Sequence, residues 1–384
     1  MNALDLRDRL FELVGARPGD SIAGCVLRDA STEVAARLTF EGGGRSIHVE
    51  VLLAEGSGSV RPHAARTKRL LFSYRAGDAG PSIPGDMGIT LCKGVAAAAA
   101  PREDAMLSAL AAESRAHEPR LREVRVSRLL EPVGDRLFTL TPYVGCLVGC
   151  RYCYAQRPVA EVRRLEQLPE VAWGSYVDAR INAPEVLARE LEGLPMRPIK
   201  LCPIVSDPYQ VVESRLEITR RCLEVLRDAR AEQPVLVLTR MKLVERDAEL
   251  LAALPRAYAG ISIPTVDDAV AEHFEPRASP PSERLAALAR LKAAGVRTFA
   301  VVQPILAGDV VALAEVLAAS ADSVSIGLLE GVEGASREFA DPRYSESRDF
   351  AWQRARADEL ARALTERQVP IWPGSPGELP PELT

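Results

Sequence analysis

Three cysteines on one short segment are the residues of this chain best suited to chemistry. Cys146, Cys150 and Cys153 form a Cys-x-x-x-Cys-x-x-Cys pattern flanked by glycines. Cysteine thiolates are the usual ligands of iron–sulfur clusters. Three thiolates can hold three irons of a cubic [4Fe–4S] cluster and leave the fourth iron open to a small ligand. The spacing therefore predicts an iron–sulfur loop with one open coordination position.

Other sites built from cysteines fit the pattern less well. A structural zinc site normally uses four ligands, most often as two separated pairs. Here the next cysteine is Cys202, and no second Cys-x-x-Cys or His-x-x-x-His motif completes a tetrahedron. Ferredoxin cysteines have other spacings, and seven cysteines in 384 residues are not typical of a disulfide framework. The iron–sulfur interpretation is favoured, with zinc as the alternative.

Composition limits the class of protein. A length of 384 residues predicts two domains or one barrel with an extension, and 47% hydrophobic residues allow a large core. The net charge of −5 argues against a non-specific binder of duplex DNA. The first residues lack the apolar stretch of a signal peptide, and no apolar run reaches membrane-spanning length. We therefore expect a cytoplasmic protein in a reducing compartment.

The chain divides into four predicted regions. Residues 1–93 predict a small α+β domain that could recognise the substrate, with strands near 34–40, 47–53 and 69–74 and a glycine turn at 42–44. Residues 94–125 are rich in alanine and predict a helical linker. Residues 126–330 predict a separate α/β domain, and residues 331–384 a C-terminal helix followed by a Pro-rich tail.

The third region alternates strands and helices. The predicted strands are 138–140, 199–205, 235–238, 257–263, 298–302 and 323–326, and the predicted helices are 216–228, 244–254, 282–294, 310–319 and 350–367. This alternation predicts a parallel sheet with right-handed crossovers. Six such units make an α/β fold, a partial (β/α)6 TIM-type barrel. Active sites of such barrels lie at the carboxyl ends of the strands, where the cysteine segment follows the first strand.

Four segments carry a family resemblance. The cysteine segment reads Pro-Tyr-x-Gly-Cys-x-x-x-Cys-x-Tyr-Cys-Tyr-Ala over 142–155. Residues 206–210 read Ser-Asp-Pro-Tyr-Gln, residues 238–240 Leu-Thr-Arg, and residues 275–278 Glu-Pro-Arg-Ala. Together they resemble the radical S-adenosylmethionine (SAM) proteins related to spore photoproduct lyase. The resemblance covers about residues 126–330.

The sequence departs from those relatives at several positions. Thr141 stands where they usually have Asn, and Arg240 stands where Lys is common. Ser279 replaces the final Pro of their five-residue motif Glu-Pro-Arg-Ala-Pro. The N-terminal region resembles nothing in them. These differences leave the chemistry in place and leave the substrate open.

The resemblance implies a radical SAM enzyme. Such an enzyme reductively cleaves SAM at a [4Fe–4S] cluster to a 5′-deoxyadenosyl radical, which here would abstract hydrogen from a peptide or small-metabolite substrate. An electron donor such as flavodoxin or ferredoxin is then a partner. Two alternatives stay open: a DNA photolesion repair lyase like spore photoproduct lyase, and a non-enzymatic iron–sulfur redox-sensing protein. The acidic composition favours the peptide or metabolite over DNA.

The resemblance also implies roles for individual residues. Tyr152 is predicted to contact the adenine of SAM, Ser206 and Asp207 to hold its amino group, and Arg240 to face its carboxylate. Ser262 is predicted to donate to the ribose or carboxylate. Each position also has a plainer interpretation, such as packing for Tyr152 or an Asp-Pro turn for Asp207. The cluster ligands are Cys146, Cys150 and Cys153.

Further residues of the barrel have weaker predictions. Glu275 and Arg277 are expected to pair with each other as a structural clamp, and Gln303 to line the pocket. Strand alternation points Cys202 into the barrel, where spore photoproduct lyases use a cysteine as hydrogen-atom donor. We favour an ordinary buried side chain there, since that is the common fate of free cysteine. The remaining cysteines are too scattered for a second cluster, so one cluster per chain is expected: Cys25, Cys92 and Cys222.

Overall fold

The computed structural model describes residues 6–55, 64–77, 82–115, 120–201, 204–373 and 379–383. The N-terminal domain is built on a six-stranded antiparallel sheet of order β1-β2-β3-β4-β6-β5. Its elements are α1 Leu6–Val14, β1 Ser21–Ile22, β2 Cys25–Ser31, β3 Arg37–Gly42, β4 Arg45–Leu53, β5 Ala65–Arg66 and β6 Leu70–Ala76. Three of these strands, β3, β4 and β6, match predicted ones, whereas β2 and the two-residue strands β1 and β5 were not predicted.

A glycine turn joins β3 to β4. Gly43 and Gly44 have φ of 57° and 69°, and the flanking residues Gly42 and Arg45 are paired across the hairpin. Two successive residues with positive φ make the two-residue turn that matches strand twist, which is the reason for glycine at both positions. The predicted turn is present.

Two helices cover one face of this sheet: α2 Gly85–Ala99 and α3 Glu103–Ser114. Their buried side chains, among them Val95 and Leu107, share one hydrophobic core with Val49 and Phe72 of the sheet. The segment predicted as a linker thus lies largely inside the N-terminal domain. Alanine-rich sequence is compatible with either role, and the sheet face on which these helices pack is formed by distant residues. The linker interpretation does not describe residues 94–114.

The third region is the predicted partial barrel. Six parallel strands lie in the order β16-β15-β14-β13-β12-β9, and β8 is added antiparallel beside β9. The strands and the smaller sheet beside them are β7 Leu121–Val124, β8 Leu130–Val133, β9 Leu137–Leu140, β10 Tyr143–Val144, β11 Val177–Arg180, β12 Ile199–Leu201, β13 Val235–Thr239, β14 Ala257–Ser262, β15 Arg297–Val302 and β16 Ser323–Ile326. The predicted (β/α)6 architecture is confirmed.

Helices join and cover these strands. They are α4 Gln156–Leu165, α5 Ala183–Glu190, α6 Glu213–Leu216, α7 Ile218–Asp228, α8 Ala248–Ala252, α9 Asp268–Phe274, α10 Pro281–Ala293, α11 Val310–Ser320 and α12 Phe350–Glu366. The segment predicted as a helix at 244–254 begins as a 3-10 helix, Lys242–Asp247, and continues as α8. Of the helices in the described residues, none combines the length and apolar character needed to span a bilayer.

The small sheet holds the cysteine segment in place. It consists of β10, β11 and β7, in that order. In the pairing of β10 with β11, Tyr143 lies opposite Ala179 and Val144 opposite Asp178. Because β10 ends at Val144, two residues before Cys146, this pairing fixes the direction in which the cysteine loop leaves the barrel. The small sheet was not predicted.

The C-terminal tail closes the end of the barrel at which the strands start. Trp372 packs against Phe299 with ring centroids 4.8 Å apart and a tilt of 38°, and its Nε1–H donates to Ser323 Oγ at 2.9 Å. Leu379 joins the same core. The opposite end, where the strands finish, is the end that carries the cysteine loop.

Polar contacts fasten the N-terminal domain to the barrel. The buried carboxylate of Glu33 accepts hydrogen bonds from Thr139 Oγ1 of β9, at 2.8 Å, and from Thr141 Oγ1. Asp29 accepts from Arg128 just before β8 and from Arg7 of α1. The strand that leads into the cysteine loop is therefore anchored by a residue of the N-terminal domain.

Candidate functional site

Glycines allow the cysteine loop its tight course between β10 and α4. Gly145 and Gly149 have φ of 80° and 62°. A Cβ on Gly145 would lie 2.7 Å from the ring of Tyr176, and one on Gly149 would lie 2.8 Å from the Cα of Gly174. Both positions need glycine, because of their backbone conformation and because of these close neighbours. The loop can thus turn back on itself and present its cysteines to one side.

The three cysteines line one common cavity that is partly open to solvent. Its other walls bring together residues that are far apart in the sequence: Val148, Trp173, Ser206, Asp207 and Arg240. Six of the eight predicted cofactor and metal residues meet here. Val148 and Trp173 were not predicted, since neither belongs to a recognisable motif.

The thiols are buried and carry raised pKa values. Burial is the main cause for all three, and it raises the pKa of Cys146 to about 12. Glu275 raises the pKa of Cys150 further, while the guanidinium of Arg240 acts in the opposite direction on Cys150 and Cys153. Coordination to a metal deprotonates thiols outright, so loading this site would release protons.

The arrangement of these thiols is compatible with a cluster. In the described parts of the chain, no three or more His, Cys, Asp or Glu side chains form a site that could hold one metal ion. A cubic cluster binds each thiolate to a different iron, so its ligands surround a volume instead of converging on a point. Three thiols around a common cavity fit that requirement.

A buried charge network supports the cavity from behind. Glu275 is fully buried; it accepts hydrogen bonds from Arg240 Nε at 2.9 Å, from Arg284 Nη2 at 2.5 Å, and from the Tyr152 hydroxyl. Burial alone would raise the pKa of Glu275, but Arg284 and Arg240 outweigh it and hold this pKa below its usual value. The carboxylate therefore stays ionised and fixes both guanidinium groups.

Tyr152 lies in this network and not in the wall of the cavity. Its ring packs near Phe274 with centroids 6.4 Å apart, and the Arg240 guanidinium lies 6.0 Å from its ring centroid. Burial and the carboxylate of Glu275 raise its pKa, so the hydroxyl remains a donor. This position corresponds to the packing role. The adenine contact stays a prediction.

Ser206 and Asp207 are largely engaged by the protein itself. Ser206 Oγ donates to the Gly145 carbonyl at 2.7 Å and accepts from Gln210 Nε2 at 2.6 Å. Gln210 Oε1 in turn accepts from the Leu147 amide at 2.8 Å. Ser206 and Gln210 therefore hold the cysteine loop against the segment after β12. Gln210 was not predicted as a site residue, although it belongs to the motif at 206–210.

Asp207 connects two strand ends. Its Oδ1 accepts from the Tyr209 amide at 2.8 Å, the geometry of an Asx turn, and from Thr239 Oγ1 at 2.6 Å. Its Oδ2 accepts from the Arg240 amide at 2.8 Å. These bonds place Arg240 at the cavity, and the turn interpretation describes this geometry. A contact to the SAM amino group stays a prediction.

Ser262 ends β14, and its hydroxyl is nine-tenths or more buried. Within the described residues that hydroxyl has no hydrogen-bond partner, while the Ser262 carbonyl accepts from Arg284 Nη1 at 2.9 Å. A buried hydroxyl without a partner is costly and commonly points to a ligand or water. The position agrees with the predicted donor role, which it does not test.

The predicted pairing of Glu275 with Arg277 is wrong. Glu275 points into the barrel toward Arg240 and Arg284, whereas Arg277 Nη1 donates to the Gly174 carbonyl. The Arg277 guanidinium also lies against Gly149, where a Cβ would approach it to 2.3 Å. Residues two apart after a helix end face different neighbours, so closeness in sequence did not give a contact. Arg277 clamps the cysteine loop to the Gly174 loop.

The remaining predictions concern residues outside the cavity. Cys202 lies outside the described residues, so its predicted role stays a prediction. Gln303 follows β15, and its side chain donates to the Leu328 carbonyl and to Glu330 Oε1. Cys25 and Cys92 are buried in the N-terminal core and Cys222 in the barrel core.

The cysteine site lies within a segment that matches a known family model. Residues 140–319 match the family model described as the Radical SAM superfamily. This segment is a radical SAM domain. The match begins at the last residue of β9, includes all three cysteines, and ends in α11. The recognition made from the cysteine segment is confirmed at the level of the superfamily.

Two uncharacterized proteins match part of this chain in sequence. An uncharacterized protein of Methanocaldococcus jannaschii is 28% identical over 171 residues, 44% of this chain and 60% of that protein. One of Mycobacterium tuberculosis is 29% identical over 173 residues, 44% of this chain and 49% of that protein. The matches thus span about half the length of these relatives.

Two solved structures resemble this chain in part. A spore photoproduct lyase variant with bound AdoMet and dinucleoside spore photoproduct is 18% identical, with a TM-score of 0.46 over 66% of this chain and 80% of that one. SuiB of Streptococcus suis bound to S-adenosylmethionine is 11% identical, with a TM-score of 0.40 over 78% of this chain and 54% of that one.

Proposed function

We propose that this chain is a radical SAM enzyme that holds a [4Fe–4S] cluster on Cys146, Cys150 and Cys153. The observation that carries the proposal is the common cavity shared by three thiols of one loop and by Arg240. When bound, the cluster and SAM supply an electron transfer that breaks a carbon–sulfur bond and generates a 5′-deoxyadenosyl radical. The protein contributes binding, orientation and exclusion of water.

Arg240 is the residue that we assign to the carboxylate of SAM. Hydrogen bonds to Glu275 and to the Gln303 carbonyl use two of its N–H groups within the described residues. An arginine has five such donors in a planar fork, so others remain for an anion at the cavity. A guanidinium can bind a carboxylate through two parallel hydrogen bonds, which a lysine cannot do. The chain would in this way compensate for lacking the lysine of its relatives.

Asp207 and Ser206 act mainly by positioning. Asp207 receives three hydrogen bonds, one of them from the Arg240 amide, and Ser206 holds the Gly145 carbonyl at the start of the loop. A carboxylate has about four acceptor sites, so Asp207 retains capacity for the SAM amino group. We assign this contact to Asp207 as a second role.

For the substrate we propose a peptide or small metabolite. The net charge of −5 disfavours a nucleic acid, whose phosphates require a cationic surface. The N-terminal domain lies outside the matched segment 140–319, and we assign substrate recognition to it. Flavodoxin or ferredoxin is the proposed class of electron donor. Tight binding of short DNA that weakens steeply with salt would favour lesion repair instead.

Anaerobic reconstitution tests the reaction. The full chain is loaded with iron and sulfide, SAM and dithionite are added, and 5′-deoxyadenosine is quantified. We expect product from the native chain and from Cys222→Ala, which removes a thiol in the barrel core. The triple variant Cys146→Ala, Cys150→Ala, Cys153→Ala should give none. The proposal would be contradicted if the fully loaded native protein formed no product and its electron paramagnetic resonance spectrum did not change when SAM was added. That result would favour redox sensing.

A further inference from the structure

Trp173 is an aromatic residue in the wall of the cysteine cavity. It lies between α4 and β11 and lines the cavity together with the three cysteines. Its Nε1 is buried, and the described residues offer it no hydrogen-bond acceptor. A buried donor without an acceptor is costly, which makes each one a pointer to a missing partner. The partner would be a ligand of the cavity.

The indole is held firmly in this position. Its ring meets Tyr176 edge to face, with centroids 5.9 Å apart and an interplanar angle of 81°. Tyr176 is itself packed against Gly145 and covered by the Arg163 guanidinium, 4.0 Å from its ring centroid. The unpaired N–H is therefore not the consequence of a loosely placed side chain.

Trp173 stands on the cysteine side of the cavity. The next residue, Gly174, is tied to Arg277 through its carbonyl and approaches Gly149, the residue before Cys150. Arg240, the cation assigned to SAM, follows β13 on the barrel wall. The indole is thus fixed to the backbone that carries the thiols, and not to the strand ends.

The acceptors of the cavity point to sulfur. Ser206 Oγ already has a donor in Gln210, and Asp207 has three donors, with its remaining acceptor site assigned above to the SAM amino group. Among the side chains that line the cavity, the thiols are the acceptors still available. As cluster ligands they become ionised sulfur acceptors. Resting on the proposed function, we propose that the Trp173 indole N–H donates a hydrogen bond to a sulfur atom of the cluster held by Cys146, Cys150 and Cys153.

The proposal makes Trp173 a positioning residue that tunes the cluster. Hydrogen bonds to its sulfurs are among the factors that set the reduction potential of an iron–sulfur cluster. Reduction adds negative charge to the sulfurs, so a donor stabilises the reduced form more than the oxidised form. The hydrogen bond would raise the reduction potential and ease the delivery of the electron.

The test is a redox titration of the reconstituted full-length protein. Trp173→Phe keeps an aromatic ring against Tyr176 and removes the N–H. We expect a more negative reduction potential, followed by electron paramagnetic resonance, with unchanged iron content and unchanged SAM affinity. Trp372→Phe is the matched control, because it removes an indole N–H that donates to Ser323 at the other end of the barrel. Its potential should equal that of the native protein.

A second measurement does not depend on any Trp173 variant. The native protein is labelled with ¹⁵N at the indole nitrogens of its three tryptophans. Pulsed paramagnetic resonance of the reduced cluster should detect a ¹⁵N coupling that persists in Trp372→Phe. No such coupling, or an unchanged potential in a fully loaded Trp173→Phe protein, overturns the inference.

Other outcomes separate the inference from the function on which it rests. Weaker SAM binding in Trp173→Phe with an unchanged potential overturns it and assigns the N–H to the SAM carboxylate. Failure of the native protein to assemble a [4Fe–4S] cluster is seen before any variant is compared. That result would contradict the proposed function itself.

Discussion

The two ends of the barrel are built on opposite principles. At the end where the strands start, Trp372 fills the interior, packs against Phe299 and donates its N–H to Ser323. At the other end there is a cavity, and the buried polar atoms of Trp173 and Ser262 have no partner among the described residues. Unsatisfied polar groups reduce stability, so they persist where a ligand completes them. The closed end supports the fold, and the open end is prepared for a ligand.

The largest expected effect lies at the open end. Cys150→Ala removes one of three cluster ligands, and we expect complete loss of 5′-deoxyadenosine formation together with loss of bound iron. When both are measured without metal, the variant and the native protein should unfold at nearly the same denaturant concentration, because a small side chain at a cavity wall is replaced by another. Circular dichroism during denaturation and iron analysis check both statements. Retention of a full iron content would contradict the assignment of Cys150.

The closed end should behave in the reverse way. Trp372→Ala leaves a void beside Phe299 and removes the hydrogen-bond donor of the Ser323 hydroxyl, so the free energy of unfolding should fall by about 3–5 kcal/mol. Under native conditions the cluster should still load and show an unchanged paramagnetic spectrum. Urea denaturation measures the first effect. A changed cluster spectrum in a folded Trp372→Ala protein would show that the two ends are coupled.

Glu275 contributes both to the core and to the open end, because its buried carboxylate binds Arg284 in the interior and Arg240 at the cavity. Glu275→Ala leaves Arg284 fully buried without its carboxylate, and we expect a loss of about 3–5 kcal/mol of stability. Glu283→Ala breaks an exposed pair with Lys242 and should cost less than about 1 kcal/mol. Denaturation of both variants measures the contrast. Equal effects would mean that burial of the Glu275 pair contributes nothing.

Stability should also respond to pH through a carboxyl beside the barrel. Burial is the main cause that raises the pKa of Glu131 on β8 to about 7, from 4.5 in the unfolded chain; Arg128 acts in the opposite direction, and the Glu33 carboxylate adds to the rise. The folded state thus binds more protons between these values, so this contribution is present below pH 4.5 and is lost as the pH rises to about 7. A tenfold difference in proton affinity between the folded and unfolded states corresponds to about 1.4 kcal/mol of stability.

The matched variant for this prediction is Glu131→Gln, which resembles the protonated side chain. Relative to it, the native protein should lose stability as the pH rises through this window, as measured by urea denaturation at several pH values. The same dependence on pH in both proteins would contradict the raised pKa of Glu131.

What the sequence could predict follows from the range of each interaction. Strand and helix periodicity is local, and so the six barrel strands were predicted; Cys146, Cys150 and Cys153 act as one motif for the same reason. The contacts of Glu275 with Arg240 and Arg284 join segments 35 and 9 residues apart through a shared interior. Trp173 reaches the cavity through the small sheet, whose β7 and β11 are separated by more than fifty residues. Local sequence patterns do not predict such contacts.

Arg240→Lys should have the smallest of these effects and tests the open end most finely. The substitution restores the residue common in the relatives and keeps the positive charge, but it cannot preserve both the bond to Glu275 and a planar fork toward a carboxylate. Loss of one charge-assisted hydrogen bond predicts about tenfold weaker SAM binding, or about 1.4 kcal/mol. Titration of the loaded protein with SAM measures it, and Lys242→Arg, an exposed change two residues further on, should bind like the native protein. Unchanged affinity in Arg240→Lys would show that the charge alone is used, and a loss as large as that of Arg240→Ala would show that the fork is indispensable.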